Sequence, residues 1–305
     1  MNNIASHRYL TMDVFSERVF EGNPLAVFPD ATGISGDTMQ QIATELNLSE
    51  TVFIAPATRP DCAVSVRMFT PNRELSFAGH PTIGTSFVVL AEEFVPKGTS
   101  EFSLEEKIGP VRIRVEPGMR PLIWLTTPPI TFGRLYERDA CAKALGLNPS
   151  DLLEVSPQVV SAGNATFIIA VRDKEQVDQA WIESTGLSLL KGKDEPPLLV
   201  MVFTPTGDGA YSRVFGPEHG VREDPATGSA TGPLAAFMVQ HGLVSGAAGT
   251  RFVSEQGVKM GRRSILHVRL NGEKGVNGIE IGGYVSPVAE ATMTFPRSES
   301  GGYRE

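Results

Sequence analysis

The chain has only two cysteines in 305 residues, Cys62 and Cys141, which stand far apart with no metal-ligand spacing around them. That excludes a disulfide scaffold and a zinc ribbon, and both read as reduced, buried residues. The five histidines, His7, His80, His219, His241 and His267, are equally scattered, so no metal centre is expected. Positive charge is also short: 27 Lys and Arg against 35 Asp and Glu leave a net charge of −8. Nucleic acid and anionic membrane surfaces are therefore not expected partners. No apolar run approaches the roughly 20 residues of a membrane helix. Residues 1–8 carry no apolar signal region, and a cytoplasmic location is expected. Neither G-x-x-x-x-G-K-[ST] nor a G-x-G-x-x-G that closes a strand and opens a helix occurs, so no nucleotide cofactor is expected.

What the chain does have is one kind of segment twice. The first copy is Phe77-Ala78-Gly79-His80-Pro81-Thr82-Ile83-Gly84-Thr85, running into an apolar stretch. The second is Glu223-Asp224-Pro225-Ala226-Thr227-Gly228-Ser229-Ala230-Thr231-Gly232, running into another. In each, a loop of small residues opens a hydrophobic helix. A helix start offers unpaired N–H groups and the positive end of the helix dipole, which together attract an anion. Two such starts in two halves point to two lobes closing on one small anionic substrate.

The intervening pattern supports two lobes. Asp37 reads as the N-cap of a first helix, with Met39, Ile42, Ala43 and Leu46 on one face and an end near Asn47. Val64, Val66 and Met68 alternate with Ser65 and Arg67 as in a half-buried strand. The helix that contains Pro81 is apolar nearly all round and must be covered on most sides. Pro128-Pro129 is the linker. The second half repeats the scheme, with a helix over Gly228–Val239 stopped at His241-Gly242. Pro233 requires that this helix either start close to it or kink there. The tail Ser298–Glu305 is polar and is expected to fray. The expected class is α+β, each half a curled, mostly antiparallel sheet around one central helix.

Four residues carry candidate chemistry. Glu50, in Asn47-Leu48-Ser49-Glu50-Thr51, falls where a helix gives way to a strand. It reads as a solvated turn carboxylate or as a cleft residue, whereas Glu45 lies on the polar side of the helix. His80 reads as a helix cap, a neutral core histidine or a site residue. Asp224 reads as an N-cap or as a substrate-orienting carboxylate, and Ser229 as a cap, a packing residue or an anion contact. Acid–base groups beside anion-binding helix starts point to proton transfer at carbon.

These segments, with Glu21-Gly22-Asn23-Pro24, Ala26-Val27-Phe28 and Phe69-Thr70-Pro71, resemble the phenazine-biosynthesis isomerase family of the diaminopimelate-epimerase-like fold. The resemblance implies two lobes, residues 1–128 plus 286–297 and residues 129–285, with the active site between them. It implies a homodimer without cofactor, acting on a small-molecule carboxylate. The type reaction isomerises trans-2,3-dihydro-3-hydroxyanthranilate, a carboxylate taking a proton from C3 of the ring and returning it to C1. By the same resemblance Glu50 is that carboxylate, His80 and Asp224 support it, and Gly79, Gly228 and Ser229 hold the substrate carboxylate. Related epimerases carry a cysteine at each loop; Cys62 and Cys141 lie elsewhere, so a two-cysteine racemase is not expected. Extra residues stand at Lys191–Pro197 and in the tail. Epimerisation or dehydration of an amino-acid-like carboxylate, or binding without turnover, are the alternatives.

Overall fold

The computed structural model describes residues 4–191, 196–271, 276 and 278–296. The expected lobe limit at 297, the tail Ser298–Glu305 and residues 192–195 of the Lys191–Pro197 segment lie outside the described residues. The chain divides into two compact units: one runs to Leu125 and resumes at Tyr284, the other covers Thr126–Gly283.

The first unit runs β1 (Ile4–Val14), β2 (Asn23–Phe28), α1 (Gly36–Leu46), β3 (Glu50–Pro56), β4 (Val64–Phe69), β5 (Glu74–Leu75), α2 (Gly79–Ala91), β6 (Glu101–Glu106), β7 (Gly109–Glu116) and β8 (Leu122–Thr126). β1 is antiparallel to β2, β2 parallel to β3, and β3 antiparallel to β4. β4 then pairs antiparallel with β5 and parallel with β6, and β6, β7 and β8 follow as an antiparallel meander.

The second unit runs β9 (Thr131–Leu135), α3 (Arg138–Ala144), β10 (Gln158–Ser161), β11 (Ala165–Ala170), α4 (Lys174–Gln179), α5 (Ser184–Leu190), β12 (Leu199–Thr206), β13 (Gly209–Gly216), β14 (Val221–Asp224), α6 (Gly228–Gln240), β15 (Arg251–Gln256), β16 (Ser264–Leu270) and β17 (Ile279–Gly283). From β10 on, its pairings repeat those of the first unit: antiparallel, parallel, antiparallel, a short antiparallel strand, then a parallel step into a meander. Last comes β18 (Val285–Pro296), which belongs to the first unit and lies antiparallel along β1.

One helix in each unit is sunk into its sheet. Ten of the 13 residues of α2 are buried, and ten of the 13 of α6. Both have small residues where they meet strands. A Cβ on Gly84 would come within 2.4 Å of Leu25 Cδ2, so only glycine allows α2 to sit this close to β2. Strand β3 shows the consequence of cover on both faces: Val52, Phe53 and Ile54 are all buried. Phe53 belongs to the cluster built with Phe28, Met39, Ile42 and Ala43 under α1. In the second unit, α3, α4 and α5 cover the sheet through Cys141, Val177 and Leu187 packed with Phe167, Val202 and Phe215.

Two local expectations need correction. Helix α1 is capped by Ser35, whose Oγ accepts from the Thr38 N–H, so Asp37 lies inside the first turn, where a negative charge suits the helix dipole. Cys62 is half-buried in the turn before β4, and only Cys141 is buried. Pro233 lies well inside α6, where the Ser229 carbonyl loses the donor it would otherwise have four residues on.

Candidate active site

Glu50 opens β3. Asn47 closes α1 in the left-handed conformation (φ 50°) and donates its N–H to the Ala43 carbonyl, so the chain turns from helix to strand within three residues. The parallel register places Glu50 beside Leu25 of β2. Its side chain is 15% exposed, and Oε2 lies 3.1 Å from His80 Nε2.

His80 is the second residue of α2 and is 5% exposed. Its other ring nitrogen, Nδ1, lies 3.3 Å from Asn23 Nδ2. An amide NH₂ donates, so Nδ1 accepts and the ring proton sits on Nε2, the nitrogen 3.1 Å from Glu50 Oε2. Burial lowers the His80 pKa to about 3 and keeps the imidazole neutral near pH 7. The contact is therefore a neutral ring beside a carboxylate, not an ion pair.

Asn23 is fully buried at the start of β2, and the turn before it brings it there. Gly22 has φ 70°, and a Cβ on it would meet the Val14 carbonyl oxygen at 2.4 Å. Asp13 tightens the same turn by accepting the Phe20 N–H at 2.6 Å.

Both sunken helices start without a side-chain cap. Ala78 precedes α2 and Thr227 precedes α6, and neither side chain bonds the first N–H groups. The leading amides of Gly79 and His80 in one unit, and of Gly228 and Ser229 in the other, have no N-cap side chain as acceptor, and such a helix start suits an anion.

Asp224 does not cap α6. Its Oδ2 accepts from Thr227 Oγ1 at 2.5 Å, and its backbone carbonyl accepts from Gln256 Nε2 at 2.7 Å. Gln256 Nε2 also donates to Thr227 Oγ1 (3.0 Å), and Oε1 accepts from the Thr227 N–H (3.2 Å). Glu223, next to Asp224, is held by Arg213 Nε and Nη2 at 2.9 and 2.8 Å and so is structural.

The structure thus brings Glu50 and His80 together in the first unit, with Gly79 beside His80 in α2. In the second it sets Asp224, Gly228 and Ser229 on one strand–loop–helix segment. Asn23, Thr227 and Gln256 are partners that sequence reading misses. Asn23 stood inside Glu21-Gly22-Asn23-Pro24, but its contact with His80 spans 57 positions and has no local sign.

Residues 12–291 match the family model described as phenazine biosynthesis-like protein. Over 295 residues the chain is 34% identical to trans-2,3-dihydro-3-hydroxyanthranilate isomerase of Pseudomonas aeruginosa, covering 93% of this chain and 98% of that one. A Bacillus anthracis phenazine biosynthesis protein of the PhzF family superposes with TM-score 0.85 at 22% identity, over 95% of this chain and 99% of that one, a likeness of fold. A predicted epimerase from Pseudomonas aeruginosa superposes with TM-score 0.79 at 30% identity, over 94% and 99% of the two chains. With a family match over almost its whole length and a named isomerase among its relatives, the chain belongs to the phenazine biosynthesis-like protein family and is an enzyme of the isomerase class.

Proposed function

We propose that the enzyme isomerises a small carboxylate without a cofactor, using Glu50 to move a proton between two carbons of the substrate. The observation that carries this is the 3.1 Å approach of Glu50 Oε2 to Nε2 of a buried, neutral His80 that Asn23 holds by its other nitrogen. The Glu50 carboxylate takes a proton from an sp³ ring carbon, and the electron pair of that bond forms a new ring double bond while an existing ring double bond shifts its pair toward a second carbon. The protonated carboxyl gives the proton to that second carbon, so substrate and product have the same atoms. The His80 N–H orients the carboxylate without competing for the proton, since an imidazole held neutral by burial does not readily become imidazolium.

The uncapped amides of Gly79, Gly228 and Ser229 are assigned to the substrate carboxylate, and Asp224, fixed by Thr227, to its orientation. The family match supports these assignments. A dihydro-hydroxyanthranilate-like acid is the substrate class, from the relative named above. A homodimer in the cytoplasm completes the reading; light scattering on the purified protein tests the dimer.

The internal repeat favours isomerisation over two-base epimerisation. Strand β3 pairs Thr51 with Phe69, and β12 pairs Val200 with Phe215, so Glu50 in the first unit corresponds to Leu199 in the second. The repeat supplies no second carboxylate at that place. One carrier that takes and returns a proton suits a shift along one face of a ring, whereas inversion calls for groups on opposite faces.

Glu50→Gln is the test. The amide keeps the size and removes the transferable proton. Turnover and exchange of the substrate C–H with heavy water should fall by about 10²- to 10⁴-fold or more, with ligand affinity within a small factor. Near-normal exchange in that variant would overturn the assignment. A product that is the mirror-configured substrate would identify an epimerase.

A further inference from the structure

Glu106 closes β6 and is 5% exposed. Its Oε1 lies 2.7 Å from Thr82 Oγ1, one turn into α2, and its Oε2 is buried without a hydrogen-bond partner among the described residues. Thr82 Oγ1 also lies 2.7 Å from the carbonyl oxygen of Ala78, the N-cap of the same helix. A hydroxyl has one proton to give, and a backbone carbonyl can only accept. With that proton given to Ala78, the Glu106 oxygen has to supply the other, which a carboxylic acid can do and an ionised carboxylate cannot; the alternative, Thr82 donating to Glu106, leaves its 2.7 Å approach to the Ala78 carbonyl without a proton.

The second unit shows what this position does. Ser65 pairs with Glu105 and Tyr211 with Glu255, which makes Gln256 the counterpart of Glu106. Gln256 clasps the start of α6 through Thr227 and Asp224, while Thr231 Oγ1 donates to the Thr227 carbonyl as Thr82 does to Ala78. An amide is neutral at every pH. A glutamate in the same place matches it only while it keeps its proton.

We propose that Glu106 is a positioning residue: a neutral carboxylic acid that clasps the start of α2 without adding a negative charge of its own to the carboxylate-binding end of that helix. Burial raises its pKa to about 8, in keeping with that form. The charged groups around it are engaged elsewhere. On its own strand Glu101 pairs with Arg112 and Arg114 of β7, and Glu105 binds Thr58. On β4 Arg67 pairs with Glu74 of β5, which Lys107 also meets, and on α2 His80 is neutral. Ionisation above neutral pH adds a negative charge beside the helix start and turns the Thr82 hydroxyl away from Ala78. Both changes weaken the hold on an anion.

The role at the substrate rests on the proposed function; the protonation state does not, and the test separates them. Carboxyl resonances of the full-length protein labelled with ¹³C-glutamate are compared with those of Glu106→Gln. The signal lost in the variant should report a protonated acid at pH 7 with a midpoint near 8. If every glutamate is ionised by pH 6, the proposal is wrong. The sign for stability follows: the folded state keeps this proton from about 4.5, the ordinary value, to about 8. Its contribution is full below that window and is lost as pH rises through it, and Glu106→Gln should remove that slope.

Binding of anthranilate, a stable aromatic amino acid, is then measured at pH 6.5 and pH 9. Affinity of the unmodified protein should fall roughly tenfold between the two, and that of Glu106→Gln by less than about threefold. Equal weakening of both would overturn the role at the substrate. Failure of Glu106→Gln to fold or to bind at pH 6.5 would do so too, because the amide reproduces the neutral acid. If the unmodified protein binds no anthranilate at any pH, the substrate class is at fault, and the carboxyl titration still decides the protonation state.

Discussion

Arg67 in the first unit and Arg213 in the second occupy the same place on the same strand, opposite Phe53 and Val202. Each lies over the phenylalanine two residues on, at 5.1 Å for Phe69 and 4.8 Å for Phe215. Each binds the glutamate of the short strand that follows, Glu74 or Glu223. The residues assigned to chemistry behave otherwise. Counting from those shared pairs, Glu50 corresponds to Leu199, Leu75 to Asp224, His80 to Ser229 and Glu106 to Gln256. The duplicated frame keeps its clamps and the burial of its helix, because both halves meet the same packing problem. The polar residues at the helix starts differ, as the proposed single proton carrier would have them do.

The clamps themselves are not equal, and that inequality gives the largest expected effect. The Arg67 and Glu74 side chains are 42% and 23% exposed, those of Arg213 and Glu223 only 6% and 11%. Arg213 Nη1 also donates to the carbonyls of Val177, Asp178 and Ala180 at the end of α4. Arg213→Met strands a buried carboxylate and three carbonyls and should cost about 3–5 kcal/mol in urea unfolding. Arg67→Met should cost about 0–1 kcal/mol, since water solvates what is left. Equal losses would mean that the two clamps do the same job despite their surroundings.

A second substitution moves one unit toward the other at the site. His80→Ser gives α2 the residue that α6 has and removes the ring nitrogen near Glu50. We expect kcat to fall about 10²-fold, near the low end for acid–base groups, with KM changed by only a small factor. Unchanged proton exchange would sever His80 from the reaction and leave it a buried residue that packs beside Asn23.

The same comparison explains what the sequence made legible. The two Gly-rich helix openings stood out because both helices start in small-residue loops and run on as wholly apolar segments, an uncommon pattern in one chain. The sunken helices and the mostly antiparallel α+β class follow from it. The parallel steps β2–β3 and β11–β12 were not legible, because register between distant strands leaves no local periodicity. Helix α4, Lys174–Gln179, has one buried residue, Val177, and strand β9, Thr131–Leu135, has none, so neither shows an apolar rhythm. Glu106 did leave a sign. Phe102, Leu104 and Glu106 share one side of β6, and an acid on the buried side of a strand calls for a partner or a proton.

The two threonines give the sharpest measure of how the repeats differ. Thr82 and Thr231 are both fully buried one turn into their helices, and each hydroxyl donates to the N-cap carbonyl. Valine has the same shape and lacks the hydroxyl. In the second unit, Thr231→Val deletes one bond to a carbonyl that still accepts the N–H groups of Ala230 and Thr231, both at 3.1 Å. That should cost about 0.5–1.5 kcal/mol, the net worth of one hydrogen bond. In the first unit, Thr82→Val also takes away the one hydrogen-bond partner that Glu106 has among the described residues. The cost should rise by a further ~1–3 kcal/mol for the stranded acid. Adding Glu106→Leu to Thr82→Val should return much of that excess, because an apolar pair leaves nothing unsatisfied. Urea unfolding of the four proteins closes the cycle. If the double variant shows the plain sum of the single losses, Thr82 and Glu106 do not act as a pair.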